Sequence, residues 1–210
     1  MMEKRKVKSK TREYAESLII AAVIAFFVRS FVIQAFKIPS SSMEPTLLIG
    51  DHLLVNRLSY VMKVPFTDTV IFSLGDPKKN DVIVFRYPKE PDKDFIKRVI
   101  ATPGDTIEIK DKIIFVNGKR IDDKWGYYSD QSIAPASISP RDNFGPLKVP
   151  KDSYFVMGDN RDRSLDSRFW GIVPKDLLVG RALILYFSWN GRSEDLFDYV
   201  RWSRIGKLIR

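Results

Sequence analysis

Thr106-Ile107-Glu108-Ile109-Lys110-Asp111-Lys112-Ile113-Ile114-Phe115-Val116-Asn117-Gly118 announces a β-protein. Apolar and polar residues alternate over Thr106–Lys110, the pattern of a strand with one covered face. Lys112–Val116 is rich in β-branched and aromatic residues, and Asn117-Gly118 is a dipeptide that accepts the positive φ angles of a two-residue hairpin turn. On either side lie five more strand-like runs: His52–Leu58, Val82–Tyr87, Phe95–Ala101, Ser153–Met157 and Ala182–Trp189. Gly, Pro, Asn and Asp separate them, with little helical periodicity after Lys37. The expected fold is mostly β: a curled antiparallel sheet carrying a small inserted β/loop subdomain over 106–147. Within that insertion, residues 122–147 are polar, contain Pro135, Pro140 and Pro146, and read as a long loop. There are no internal repeats.

One segment departs from the pattern. Ser17 to Phe36 reads SLIIAAVIAFFVRSFVIQAF. A helix of about 20 residues rises about 30 Å, the hydrocarbon thickness of a bilayer. The uninterrupted apolar run, Leu18 to Val28, is shorter, and Arg29, Ser30 and Gln34 follow it. Arg29 can snorkel toward the far interface, with Phe31 and Phe36 at headgroup depth. A buried core helix and a cleaved secretory signal, with Ala35 as a poor cleavage candidate, are the competing readings. An uncleaved anchor is preferred. Its basic flank keeps the N-terminus cytoplasmic. The expected division is therefore a basic cytoplasmic tail over 1–16, a transmembrane anchor over 17–36 and an extracytoplasmic domain over 37–210.

The chain has 210 residues and a net charge of +9. Residues 1–16 hold +3 of it and residues 201–210 hold +4, leaving +2 for everything between. Basic ends beside a membrane explain this better than a nucleic-acid groove, and no nucleic-acid recognition motif accompanies the charge. The segment 201–210 is either a short basic helix lying on lipid or a solvated tail. There is no cysteine, which excludes disulfides, a thiol nucleophile and thiolate metal sites. With one histidine, only carboxylates remain as metal ligands, and no metal or cofactor is expected.

Three stretches carry reactive side chains. Ile38-Pro39-Ser40-Ser41-Ser42-Met43-Glu44-Pro45-Thr46-Leu47 places hydroxyls just after the apolar segment, between two prolines that restrict the backbone. Phe95-Ile96-Lys97-Arg98 sets a lysine among apolar neighbours. Gly158-Asp159-Asn160-Arg161-Asp162-Arg163-Ser164-Leu165-Asp166-Ser167-Arg168 is dense in charge; it lacks the glutamate and spacing of a calcium loop. Each has a bland alternative: a serine-rich loop, a lysine pointing to solvent from a strand, a charged surface turn. A serine hydrolase needs a base, and Lys97 suits that role only when neutral, which burial favours. His52 follows Asp51, but neighbours on a strand point to opposite faces, so Asp51 does not orient His52 directly.

Taken together, the three stretches resemble bacterial type I signal peptidases, over most of residues 14–190. The family pattern Pro-Ser-x-Ser-Met-x-Pro-Thr selects Ser42 as nucleophile, with Ser41 standing where many relatives have glycine. Lys97-Arg98 with Thr102-Pro103-Gly104-Asp105 matches the family's lysine signature and makes Lys97 the general base. The resemblance further implies an oxyanion hole from the Ser42 N–H and the Ser40 hydroxyl. Ser164 would orient the Lys97 amine, while Asp166, Arg168, Asp159 and Arg98 form supporting ion pairs. Shallow pockets for an Ala-x-Ala site would be lined by Phe36, Ile38, Pro39, Met43, Val84, Phe95 and Ile96, whose plain alternative is core packing. The implied partners are signal peptides of secreted preproteins and the lipid bilayer, with functional coupling to the secretion machinery possible. The implied location is the bacterial cytoplasmic (inner) membrane, crossed once. Two rival readings remain. A Ser/Lys autoprotease of the SOS-repressor type would need an N-terminal DNA-binding domain, for which residues 1–37 are too short and too apolar. A non-catalytic envelope β-domain is the other.

Overall fold

The computed structural model describes residues 10–63, 70–191 and 199–210; most of the expected tail, residues 1–9, lies outside them. Among the described residues, thirteen strands follow one long helix. They are β1 Ile33–Lys37, β2 Asp51–Asn56, β3 Val61–Lys63, β4 Val70–Ser73, β5 Val82–Tyr87, β6 Glu90–Ala101, β7 Thr106–Lys110, β8 Ile113–Val116, β9 Lys119–Arg120, β10 Phe144–Lys148, β11 Ser153–Met157, β12 Val173–Pro174 and β13 Leu178–Ser188. The main sheet has seven strands in the order β1-β2-β13-β5-β6-β11-β12, all paired antiparallel. A second sheet, β10-β7-β8-β9, carries the insertion, and β3–β4 form a separate hairpin.

The helix, α1, covers Lys10–Phe27 and continues through a wider π-type turn to Val32. None of its apolar residues from Leu18 to Phe27 is covered by the rest of the chain. The expected anchor boundary at Phe36 is revised: Ile33–Lys37 is β1, paired from Ile33↔Asn56 to Lys37↔His52. Arg29, Ser30 and Gln34 break the apolar surface there, and the β-branched Val32 and Ile33 suit an extended chain better than a helix.

Burial alternates cleanly along β2, with Asp51, Leu53 and Val55 inside. It does not along β5, where Val82, Ile83, Val84 and Phe85 are all buried. The reason is that this central strand is covered on both faces. Val82 and Val84 join Ile38, Met43, Leu47, Leu53 and Val55 in one core, while Ile83 and Phe85 join Val99, Tyr154 and Val156 in another. A third core, built from Ile107, Ile109, Ile114, Val116, Phe155 and Met157, ties the second sheet to the ends of β6 and β11.

The Asn117-Gly118 turn forms as its chemistry predicts, both residues at positive φ (54° and 74°), between β8 and β9. Asp111-Lys112 makes an equivalent turn between β7 and β8 with φ of 48° and 69°. Lys112 therefore belongs to that turn and not to the strand expected from Lys112. Its N–H donates to Asp142 O at 2.9 Å and its amine to the Asp130 carbonyl at 2.6 Å.

One further expectation is refined and one corrected. Residues 122–147 run largely without regular structure up to β10, as a long loop does, but pack against the 158–168 loop. Tyr127 donates its N–H to Asp159 O and its carbonyl accepts from the Arg161 N–H, so the segment runs beside 158–161. The segment 201–210 is neither a helix laid on lipid nor a solvated tail. After a single 3-10 turn at Trp202–Arg204 it docks along β13, with Leu208 bridging Ile184 and Ile209 buried in the first core.

Candidate active site

Ser42 sits in a tight turn after β1. The turn is closed by Glu44 N–H to Ser41 O (3.1 Å) and Leu47 N–H to Met43 O (2.9 Å). It is seated on the first core by Met43 and Leu47, both fully buried. From the 158–168 loop, Asn160 fixes it again: its backbone N–H donates to Ser42 O at 3.1 Å and its side-chain amide to Ser41 O at 3.2 Å. The turn is thus held through its carbonyls, which leaves the Ser42 hydroxyl free to face β6.

There it meets Lys97. Nζ lies 2.8 Å from Ser42 Oγ and 3.0 Å from Ile96 O, to which it donates. The solvent-pointing alternative for this lysine fails, since Lys97 is only 4% exposed. Phe95 contributes to the cover, its ring centroid 5.4 Å from Nζ. Burial in this dry setting pushes the amine down to about 8, against the pull of Asp166 and Asp159, which raise it, while Arg168 adds to the lowering. Ser40, exposed at the lip of the turn, has its Oγ 3.4 Å from Ser42 Oγ.

Two ion pairs, both buried, frame the dyad. Arg98 points its guanidinium at Asp159, with Nε to Oδ1 and Nη2 to Oδ2 both at 2.7 Å. Such a two-pronged pair fixes direction as well as charge. Its remaining nitrogen, Nη1, donates to Asn80 O (2.7 Å) and Arg210 O (2.8 Å). Asp159 also accepts from Thr46 Oγ1 at 2.6 Å, tying the pair back to the serine turn. Asp166 accepts from the Gly158 N–H (3.0 Å) and from Arg168 Nε and Nη2 (2.9 and 2.8 Å). Burial alone would raise this carboxyl; Arg168 outweighs it and holds the group below the ordinary carboxylate range. Arg168 spends its other donors on Arg141 O and Arg161 O.

Ser164 stands differently from what the resemblance implies. Its Oγ is buried near the Asp166 carboxylate and helps lower it, yet makes no hydrogen bond of good geometry, including to Lys97. Gly158 is what lets these parts meet. A side chain there would run into Ser164 Oγ and Ser42 O. Of the expected pocket-lining residues, Ile38, Met43 and Val84 are buried beneath the turn, Phe36 and Ile96 are half-buried at its border, and Pro39 is exposed. Phe95 stacks on Tyr87 at 4.5 Å. His52 takes no part: its ring lies against Tyr186 and Phe187, and Asp51 binds Ser188, Leu48 N–H and Arg204 instead.

Comparison with known proteins shows the family of this chain. Residues 11–189 fit the family model described as signal peptidase, peptidase S26. The chain belongs to that family. It is a serine peptidase accordingly. A relative named signal peptidase I from Pseudomonas fluorescens is 35% identical over 226 residues, covering 93% of this chain and 78% of its own. Another, signal peptidase I P from Bacillus subtilis subsp. natto, is 35% identical over 193 residues, covering 90% of this chain and 97% of its own. A crystal structure of a signal peptidase I from Enterococcus faecalis overlaps 51% of this chain and 97% of its own at 28% identity, with a TM-score of 0.41.

Several residues around the Ser42–Lys97 pair are invisible to motif reading. Trp125 lies over Arg98, ring centroid 4.3 Å from the guanidinium carbon, and comes from the segment that matched the family pattern least. Asn80 and Arg210 contribute only carbonyls, which any residue supplies. Asn160 sits inside the charged block, but nothing local signals that its amide reaches the Ser41 carbonyl.

Proposed function

We propose that this chain is a membrane-anchored endopeptidase that removes N-terminal signal peptides from secreted preproteins, with Ser42 as nucleophile and neutral Lys97 as general base. The observation that carries the reading is the 2.8 Å separation of Nζ and Oγ with the amine buried and its pKa lowered. At that distance a proton passes directly. The Ile96 carbonyl takes one N–H of the amine, leaving its lone pair for the hydroxyl proton.

Ser42 Oγ adds to the scissile carbonyl as its proton moves to Lys97. The Ser42 N–H and the Ser40 hydroxyl stabilise the oxyanion. Collapse expels the mature chain's amine, which receives the proton from Lys97, and leaves an ester on Ser42. Lys97 then takes a proton from water as its oxygen attacks the ester; Ser42 Oγ leaves and takes that proton back from Lys97, and the signal peptide departs as a carboxylic acid that ionises. Arg98–Asp159 and Asp166–Arg168 hold the two sides of the dyad in register, and Ser164 lies beside the Asp166 carboxylate.

An extended substrate has a strand edge to bind. β6 pairs with β5 along Phe95–Lys97, but β11 joins its other side only from Arg98 onward. Main-chain pairing there supplies affinity, and the side chains at alternate positions meet Phe36, Pro39, Phe95 and Ile96, with the buried Ile38, Met43 and Val84 packed behind them. The tight fit of those residues suits small side chains, the Ala-x-Ala type. The α1 helix, uncovered and apolar, is the single membrane span, with the N-terminus cytoplasmic and the sheet domain outside the bacterial cytoplasmic membrane; coupling to the secretion machinery follows from the substrates.

The test is cleavage of a preprotein by purified protein in detergent. Ser42→Ala and Lys97→Ala are expected to lose essentially all activity, and Lys97→Arg likewise, because a guanidinium stays protonated. Cleavage by Lys97→Ala at the parent rate would remove lysine from the mechanism.

A further inference from the structure

The segment 201–210, itself outside the three motif stretches, touches the serine turn at several independent points. Arg204 Nε donates to Asp51 Oδ1 at 3.0 Å and its Nη2 donates to Asp51 Oδ2, and the same Nη2 donates to Thr46 O at 2.9 Å. Asp51 in turn accepts from the Leu48 N–H at 2.8 Å. One side chain therefore grips both the end of the turn and the first residue of β2. Three residues on, backbone bonds from Leu185 N–H to Lys207 O (3.0 Å) and from Ile209 N–H to Leu183 O (2.8 Å) lay the segment along β13. That places Ile209 among Ile38, Met43 and Leu47, the residues on which the turn rests. The Arg210 carbonyl finally reaches Arg98, whose partner Asp159 holds Thr46 Oγ1.

The turn needs such support. Among the described residues the turn between β1 and β2 pairs with no named strand, and its carbonyls at Ser41, Ser42 and Thr46 accept bonds from outside it. The 158–168 loop takes the first two; Arg204 takes the third. Asp51 is fully buried, so the guanidinium also supplies the charge that makes its burial tolerable.

We infer that residues 201–210 are a strap that positions the nucleophile's turn, with Arg204 as its positioning residue and Ile209 as its anchor in the core. The inference rests on the Ser42/Lys97 reading and adds to it a requirement from outside the motifs. A carbonyl grip lost at Thr46 lets Ser42 drift relative to Lys97. Displacements of about 1 Å at a reacting group cost on the order of 100-fold in rate. The side-chain contacts of Arg204 itself, Asp51 and Thr46, lie outside the β6 edge proposed to bind substrate.

The experiment measures kcat and KM for preprotein cleavage by the full chain in detergent, below the melting temperature of every variant. Arg204→Gln is expected to lower kcat by about 10- to 100-fold with KM within about twofold, and Arg204→Lys, which keeps the charge at Asp51, to recover part of the loss. Ile114→Val, a cavity in the third core far from the turn, serves as the destabilised control and keeps its kcat. Parent kcat in Arg204→Gln, or equal losses in Arg204→Gln and Ile114→Val, would overturn the strap. Ser42→Ala run alongside separates the two claims: activity surviving there defeats the dyad itself, whereas an inactive Ser42→Ala with a fully active Arg204→Gln defeats only the strap.

Discussion

Lys97 carries two opposing demands. In the proposed mechanism catalysis needs an uncharged amine near neutral pH, and the fold meets that need by burying a group that would prefer water. The direction of the shift fixes both consequences. The base works only in its neutral form, so cleavage should rise with pH through a midpoint near 8 and then level off. A profile already flat between about pH 6.5 and 9 under chemistry-limited conditions would contradict it. The same lowering is a stability cost. Between the folded value near 8 and the unfolded value of 10.5, the unfolded chain binds more protons, so stability rises with pH across that window. Below it the full penalty applies, on the order of 3 kcal/mol. Lys97→Met should therefore be inactive yet more stable than the parent at pH 7, by about 1–3 kcal/mol in urea unfolding. The advantage should shrink by pH 10, where less of the penalty remains.

Three stretches far apart in sequence meet because a strand and two turns deliver them to one place. β6 contributes Lys97 and Arg98 as neighbours, one for the serine and one for Asp159. The loop after β11 contributes both carboxylates, and Gly158 at its start is the point of closest approach to the serine turn. Gly158→Ala should therefore misplace Ser42 and cost both activity and stability, the latter by about 1–3 kcal/mol as an overpacked site; circular dichroism melts and cleavage rates report the two losses. Asp159→Asn leaves the wholly buried Arg98 without its counter-charge and should cost about 3–5 kcal/mol, seen as a lower urea midpoint. How much of this could be read beforehand differs by element. The Asn117-Gly118 turn and the strands around it obey local rules, and they form where those rules put them. β1 was hidden inside an apolar run long enough to pass for the end of a membrane helix. β10 and β12 are short and carry Pro146 and Pro174, residues that a strand search discounts.

The molecule as a whole is a doubly covered sheet with a bare apolar helix leading into its edge strand. That junction makes a sharp prediction about truncation. Removing everything through Phe27 should release a soluble, folded and active domain from membranes, as judged by fractionation after alkaline wash and by preprotein cleavage in detergent. Removing everything through Lys37 also strips β1 from β2 and uncovers the core beneath Phe36 and Ile38, so that product should aggregate or unfold. An intermediate result in which both truncations behave alike would mean that β1 is dispensable to the sheet.

Local chemistry in the chain was enough to settle the mostly β character, the Asn-Gly turn, an apolar segment of spanning length and the family to which the three motif stretches point, because each depends on neighbours a few residues apart. What only the folded chain decided is the state of the lysine. Alternation along a strand says which way a side chain points, but not whether that side is wet, and here both faces are covered. Ser42 and Lys97 are 55 residues apart, Arg98 and Asp159 61, and Arg98 and the Arg210 carbonyl 112. Distances over such separations are set by strand register and by what packs over it. The docking of 201–210 against β13 belongs to the same class: its charge suggested a lipid surface, and the burial of Ile209 with the grip of Arg204 on Asp51 directed it to the sheet.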